Sequence, residues 1–303
     1  MTKQSLVSIV IVNYKVKDLL SVCLKSLYRF TTNKTEIYVV DNNSDDGTGE
    51  MLKVDFPQVH FIGNKFNAGF PAANNQALSQ CSGEYIFLLN PDTEFIEDSI
   101  SSMIPFSKSK NDNCIIAPQL LNADMTVQFS IQPFITFREI FLEVFYLHHL
   151  HKNVTSYYRN DLQNPLPIDA ASGAALFFHR SVMEKIGMLD EDLFWTEDME
   201  FCFRAAKKHI DRFYLPGVKI IHHIGQSGKK NPRVMISSQV LSKIRYFYKT
   251  RGKFIGGMVA TLRLIHVLTR IMALYPLSII KPGLKPKADA YVYTLKRLFA
   301  GDY

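Results

Sequence analysis

The sequence contains no Cys-x-x-Cys pair. Its four cysteines, Cys23, Cys81, Cys114 and Cys202, are scattered along 303 residues. That spacing excludes a clustered zinc site and a disulfide framework, and points to free thiols in a reducing compartment. No Gly-x-Gly-x-x-Gly follows the first apolar run, where Asn13-Tyr14-Lys15-Val16-Lys17-Asp18 has no glycine, and no Walker A loop occurs. The two commonest phosphate-cradling devices are therefore excluded. No Ser–His–Asp set is apparent. No signal peptide is legible either. The run Leu6–Val12 is about seven residues long and leads into polar residues with no small-residue cleavage site, so a cytosolic start is expected.

What is present is globular in kind, with 47% hydrophobic and 21% charged residues. The net charge of +7 conceals an asymmetry. Residues 229–303 hold 15 Lys and Arg against only Asp289 and Asp302, while residues 1–228 are net acidic. A basic tail on a mildly acidic body points to an anionic partner. Nucleic acid and anionic lipid both qualify by charge, but no recognition fold or basic–aromatic strand platform supports nucleic acid.

Apolar runs and helical periodicities alternate. Residues 5–14 read as a buried strand, and 17–31 as an amphipathic helix with Leu19, Leu20, Cys23, Leu24, Leu27 and Tyr28 at helical spacing. A second strand ends in Asp41-Asn42-Asn43-Ser44-Asp45-Asp46. A helix and a short strand follow. Residues 67–81 read as a glycine turn and helix, and 83–95 as a fourth strand. Such alternation predicts a doubly wound, mostly parallel sheet of Rossmann type, with ligands at the carboxyl ends of the strands. Three strand ends are polar: Asn13-Tyr14, the Asp41 cluster, and Asn90-Pro91-Asp92-Thr93-Glu94. Asn-Pro-Asp is also a common turn. The Asp41 stretch is not an EF-hand loop, because Asp46 and Leu52 stand where glycine and glutamate are required.

Two further constellations stand out. Glu197, Asp198 and Glu200 crowd the first turn of a predicted helix behind Thr196. Acids there suit the helix dipole. Paired carboxylates also raise one another's pKa, which suits a general base. His222 and His223 end an apolar strand, with alternation sending them to opposite sides. The loop from Gly225 to Pro232 has a lid's composition, which would bring Lys229, Lys230 or Arg233 to an anionic ligand. The group His148, His149 and His151 lacks carboxylate or cysteine partners and reads as helix packing.

The ordered motifs VSIVIVNY, VVDNNSDDGT, NAGFPAANN, GEYIFLLNPDT, SGAALFFHR, WTEDMEFCFR and IIHHIGQS resemble family 2 glycosyltransferases of the GT-A fold, in the bacterial rhamnosyltransferase-like branch. The resemblance covers about residues 5–250. It implies an inverting, metal-dependent transfer from a nucleotide-diphosphate sugar, dTDP-rhamnose or a UDP-sugar, to a glycan or lipid-linked glycan hydroxyl in cell-surface polysaccharide synthesis. It further implies that Asn13 and Tyr14 line a nucleotide pocket and that Asp41 reads the base, with Asn43 and Asp45 beside it. Asn67 and Gly69 lie near ribose and phosphates. Asn90 and Asp92 occupy the D-x-D position, its first Asp replaced by Asn. Asp92 and His222, with His223 as the alternative, hold Mn²⁺ or Mg²⁺. Asp198 is the general base and Glu197 its helper, while Arg204 pairs with an acid. A sugar-phosphate nucleotidyltransferase is the rival enzyme class, but the glycine-rich basic loop it needs after strand one is missing.

The expected organisation is a catalytic domain over 1–235, with a nucleotide-sugar half (1–118) and an acceptor half (119–235), and an amphipathic helical region over 236–303. The apolar stretch 253–280 is interrupted by Arg263, His266 and Arg270. Charges at a bilayer centre cost about 2.5–3.5 kcal/mol each. A helix lying in the membrane interface, with Arg263 and Arg270 toward headgroups, is therefore expected, on the cytoplasmic face. A helical hairpin packed on protein, or on a second copy in a homodimer, is the alternative.

Overall fold

The computed structural model describes residues 5–145, 147, 163–223 and 232–303. The expected lid residues Lys229 and Lys230, most of their loop, and the histidines of the 148–151 group lie outside the described residues. Two compact units are present. One takes in residues 5–133, 163–191 and 197–223, and the other 134–145, 192–196 and 232–303.

The first unit is a mixed, mostly parallel sheet with flanking helices. β1 (Val7–Asn13) is buried at every residue, because Val, Ile and Ser8 tolerate both faces of a covered strand. α1 (Lys17–Phe30) follows, then β2 (Thr35–Asp41), α2 (Thr48–Asp55), β3 (His60–Gly63), α3 (Phe70–Leu78) and β4 (Tyr85–Leu89). β3, β2, β1 and β4 are neighbours, all parallel. Gly83 permits the tight entry to β4, since a Cβ there would lie 2.5 Å from Ser8 Oγ.

The stretch 83–95 is not one strand. It breaks at Asn90-Pro91-Asp92, and β5 (Thr93–Phe95) leaves for the far edge of the sheet. Pro91 has no N–H for a ladder, so the chain turns there. α4 (Ser99–Ser109), β6 (Cys114–Leu121) and a tight turn at 122–126 lead to β7 (Ile131–Gln132). Beyond α5 (Phe137–Val144) come β8 (Leu166–Pro167), β9 (Ala170–Ala171), β10 (Ala175–His179), α6 (Arg180–Ile186), α7 (Glu197–Lys207) and β11 (Asp211–His222). β10 inserts antiparallel between β4 and β6, and β11 runs parallel to β6 and antiparallel to β5. Phe87, Phe95 and Phe177 pack edge-on at the centre of this core, each contributing about 2–3 kcal/mol by burial. All four cysteines are free and buried. Burial pushes the Cys23 and Cys202 thiols up to about 12, which leaves them unreactive.

The second unit is helical. α8 (Pro232–Ile280) breaks at Gly252, whose φ of 83° is closed to most side chains. A single 3₁₀ turn at Pro282–Leu284 joins it to α9 (Lys285–Phe299), so the tail folds as a hairpin. α5 belongs to this unit and packs on α8. α8 is long and apolar enough to cross a membrane by length and composition.

The expectation that Arg263 and Arg270 face headgroups is corrected here. Arg263 is 1% exposed and Arg270 7%. Arg263 forks onto both oxygens of Glu143 at 2.9 and 2.7 Å, and Lys243 adds a third bond at 3.0 Å. Arg270 donates to the carbonyls of Glu143 and Val144, at the C-terminal end of α5. A helix C-terminus and a carboxylate together draw these cations inward. The face of α8 that stays exposed is instead apolar, with Phe254, Met272, Ile279 and Ile280 each more than three-quarters exposed.

Candidate active site

The site assembles at the carboxyl ends of β1, β2 and β4. Asn13, the last residue of β1, is fully buried. Its Nδ2 donates to Asp41 Oδ1 (2.8 Å), Ser44 Oγ (3.1 Å) and Thr48 Oγ1 (3.0 Å). Its Oδ1 has no hydrogen-bond partner among the described residues. Asp41 also accepts from the Ser44 backbone N–H and hydroxyl. The loop 41–48 is thereby pinned to β1. Asn43 and Asp45 take left-handed φ of 63° and 51°, which their short polar side chains tolerate, and both side chains are exposed. Tyr14 is half-buried, with Lys15 Nζ 5.3 Å from its ring centre.

Asn42, which the sequence reading passed over, ties this loop to the next. It donates to the Gly69 carbonyl (3.2 Å) and accepts from Asn64 Nδ2 (2.9 Å). Asn67 Oδ1 accepts from the Gly69 N–H at 2.9 Å. Gly69 has φ 87°, a conformation that its lack of a Cβ allows at the start of α3. The next residue, Phe70, comes within 3.7 Å of where a Cβ on Gly173 would sit.

Gly173 links the two acidic constellations. Its N–H donates to Asp198 Oδ2 at 2.8 Å. The carbonyl of its neighbour Ala174 accepts from the N–H of Asn90 at 2.9 Å. Asp198 lies in the first turn of α7 and also accepts from the Met199 N–H at 2.7 Å. It keeps an edge open to solvent while protein crowds it elsewhere. Burial pushes its pKa up, against the pull of the two N–H donors. Glu197 beside it is buried. Arg204 pairs with Glu200 at 2.8 Å and donates to the carbonyls of Ile186 and Met188, a structural clamp.

The Asn90-Pro91-Asp92 turn is closed by the Thr93 hydroxyl donating to the Asn90 carbonyl at 2.8 Å. Asp92 is 7% exposed. The β5–β11 pairing sets His222 opposite Thr93, and the His223 N–H donates to the Asp92 carbonyl. His222 Nε2 lies 3.2 Å from Asp92 Oδ1 and 3.4 Å from Asn90 Nδ2. His223 lies instead beside Glu94, at 3.0 Å. Gln128, absent from the sequence reading, bonds both the ring and the backbone of His222.

Does this donor set fit a divalent cation? Neighbouring ligands on an octahedral ion with bonds of about 2.1 Å stand about 3.0 Å apart. One carboxylate oxygen and one imidazole nitrogen at 3.2 Å match that spacing. Among the described residues no third His, Cys, Asp or Glu joins them. Such a pair suits an ion that keeps positions for phosphate oxygens and water. Arg233, the described residue of the expected lid, is 3.9 Å from Asp289 and exposed.

Comparison with known proteins identifies the family. The family model for "Glycosyl transferase family 2" matches residues 8–187. The low-salt glycan biosynthesis hexosyltransferase Agl10 of Haloferax volcanii is 31% identical over 71% of this chain, which spans 66% of that protein's length. The dTDP-rhamnosyl transferase RfbF of Shigella flexneri is 23% identical over 77% of this chain and 75% of its own. A mannosyltransferase from Pyrobaculum calidifontis, solved in complex with GDP-Man and Mn²⁺, superposes with TM-score 0.57 at 14% identity. That match covers 97% of this chain and 86% of that one. The chain belongs to glycosyl transferase family 2 and is built on the GT-A fold.

Proposed function

We propose that the chain is an inverting, divalent-metal-dependent glycosyltransferase. It moves a sugar from a nucleotide-diphosphate donor, dTDP-rhamnose or a UDP-sugar, to a hydroxyl of a glycan or lipid-linked glycan. The observation that carries the reading is the chain of contacts from Asp92–His222, through Asn90 and Ala174-Gly173, to Asp198. It gives one group of strand ends a two-donor clamp and a carboxylate of raised pKa. Similarity to glycan-building transferases, and to a structure holding Mn²⁺, supports the same assignment.

Asp92 and His222 would hold Mn²⁺ or Mg²⁺, which supplies positive charge for the diphosphate as it departs. Asn13, Tyr14, Asp41, Asn43 and Asp45 form the nucleotide side, with Asn67, Gly69 and Asn90 toward ribose and phosphates. Asp198 accepts the proton of the acceptor hydroxyl as that oxygen bonds to the anomeric carbon and the diphosphate leaves. Attack from the face opposite the leaving group inverts the anomeric centre. Burial keeps the Asp198 carboxylate basic enough for this, and its two N–H donors hold it in place. Glu197 supports it in the same helical turn.

A panel of nucleotide sugars with Mn²⁺, read by release of nucleoside diphosphate, tests the reading. One donor is expected to turn over, and Asp198→Asn should slow transfer by about 10²–10⁴-fold. Turnover unchanged in Asp198→Asn contradicts the base assignment.

The basic tail serves as a peripheral contact with the anionic inner face of a membrane, where a lipid-linked acceptor resides, and the protein works in the cytoplasm. The exposed apolar side chains Phe254, Met272, Ile279 and Ile280, with Lys253, Lys281, Lys285 and Lys287 nearby in sequence, form an interfacial surface. Co-sedimentation with anionic vesicles should be strong for the full chain. It should fall several-fold when Met272, Ile279 and Ile280 are replaced by Ser. Equal sedimentation removes the membrane role and leaves packing against a second copy.

A further inference from the structure

We propose that Gln128 is a positioning residue for the cation site, because it fixes the tautomer of His222 that aims a lone pair at Asp92. The inference rests on the reading of Asp92 and His222 as cation ligands.

The argument is one of hydrogen-bond polarity. Gln128 is buried. Its Nε2 lies 3.0 Å from the His222 backbone carbonyl and 3.1 Å from Asn122 Oδ1. A backbone carbonyl only accepts, so the amide nitrogen must occupy that side. The orientation of Asn122 is fixed in turn. Its Nδ2 donates to Thr126 Oγ1 at 2.9 Å, and that hydroxyl is spent on Asp124 Oδ1 at 2.6 Å. The remaining atom of Gln128, Oε1, therefore faces His222 Nδ1 at 2.7 Å. An amide oxygen there needs a donor, so Nδ1 carries the ring proton. In the neutral ring Nε2 is then left with its lone pair, with Asn90 Nδ2 at 3.4 Å.

That lone pair meets Asp92 Oδ1 at 3.2 Å. Two electron-pair donors so close repel unless positive charge lies between them. The opposite tautomer would satisfy Asp92 by itself with an Nε2–H bond and would close the site to a cation. Gln128 thus decides whether the pair is a finished hydrogen bond or a clamp. It is well placed for this, because its own N–H is bonded to the Leu120 carbonyl of β6 (2.9 Å), the parallel neighbour of β11. Outer partners of metal-bound histidines commonly set ring orientation in this way, and losing one costs about 10–100-fold in metal affinity.

The test uses the full chain at pH 8. Long-range ¹H–¹⁵N spectra, with His222 assigned by its loss in His222→Gln, report which ring nitrogen carries the proton. Mn²⁺ titration, followed by the electron paramagnetic resonance signal of the free ion, reports affinity. Wild type should show an Nδ1–H ring. Gln128→Leu, with Gln128→Met as a second variant of similar volume, should lose that pattern and bind Mn²⁺ about 10–100-fold more weakly. An Nε2–H ring in the wild type overturns the proposal without any variant. So does an Nδ1–H ring that persists in folded Gln128→Leu. A ring that follows Gln128, in a chain whose wild type binds no Mn²⁺, upholds the tautomer assignment and overturns the cation reading instead.

Discussion

Glu143 and Asp92, two of the carboxylates that face nitrogen partners, differ in outcome. Glu143 in the helical unit accepts both arms of Arg263 and the ammonium of Lys243. Those cations hold its carboxyl well below the usual carboxylate range, and burial with Arg263 nearby pushes Lys243 down. Both terminal nitrogens of the Arg263 guanidinium and the Lys243 ammonium reach Glu143, and the result is a brace between α5 and α8. Asp92 in the sheet unit faces the Nε2 of an imidazole, with the Asn90 amide beside that nitrogen at a strand end. Among the described residues no lysine or arginine pairs with Asp92. The comparison shows that pairing is not one thing. A carboxylate bound by guanidinium and ammonium builds structure, whereas Asp92, under the proposed reading, is left for a ligand.

The comparison can be broken first at the brace. Glu143→Gln leaves Arg263 buried without its counter-charge. Unfolding in urea should show a loss of about 2–4 kcal/mol, somewhat under the range for fully buried pairs because Glu143 is 38% exposed. Replacing both partners, Glu143→Leu with Arg263→Met, should recover most of that loss. Metal affinity should not move in either variant. A stability loss near zero in Glu143→Gln would show that the brace is ornamental.

A smaller effect comes from His266, which lies among these cations. Arg263, Arg270 and Lys243 oppose its protonation, Glu143 favours it, and burial contributes most. Its pKa is lowered to about 4. The unfolded chain binds a proton there near pH 6.5 that the folded chain refuses. The contribution is therefore complete above about pH 6.5 and is lost as pH falls toward 4. Between pH 7 and 5 the wild type should lose roughly 1–2 kcal/mol more than His266→Gln, read as the difference in urea midpoints. Parallel pH profiles for the two proteins would show that the histidine does not sense the cluster.

Much of the sheet unit was legible because its strands are local apolar runs. β1 and β4 need no partner to be recognised, and their polar ends mark where ligands belong. The direction of β10 was not legible, since Ala-Leu-Phe-Phe-His has the same pattern in either orientation. The break after Leu89 was carried by Pro91, yet only tertiary pairing sends β5 to the opposite edge. The helical unit misled where charge was read without its partner. Arg263 looked like a headgroup contact because Glu143 lies 120 residues earlier. Gln128 gave no signal at all, for an isolated glutamine after a turn acquires its meaning only from His222, 94 residues on. Motif order singled out Asp92, His222 and Asp198 as candidates, while the groups that contact His222 and Asp198, Gln128 and Gly173, are brought to them by the fold.

The most direct test of the central claim is calorimetric binding of UDP and dTDP, with and without Mn²⁺, to wild type, Asp92→Asn, His222→Ala and Asp198→Asn. The account predicts Mn²⁺-dependent binding of one nucleotide to the wild type and to Asp198→Asn, and its loss in the other two variants with their folds intact. Mn²⁺-dependent binding undiminished in both Asp92→Asn and His222→Ala would contradict it.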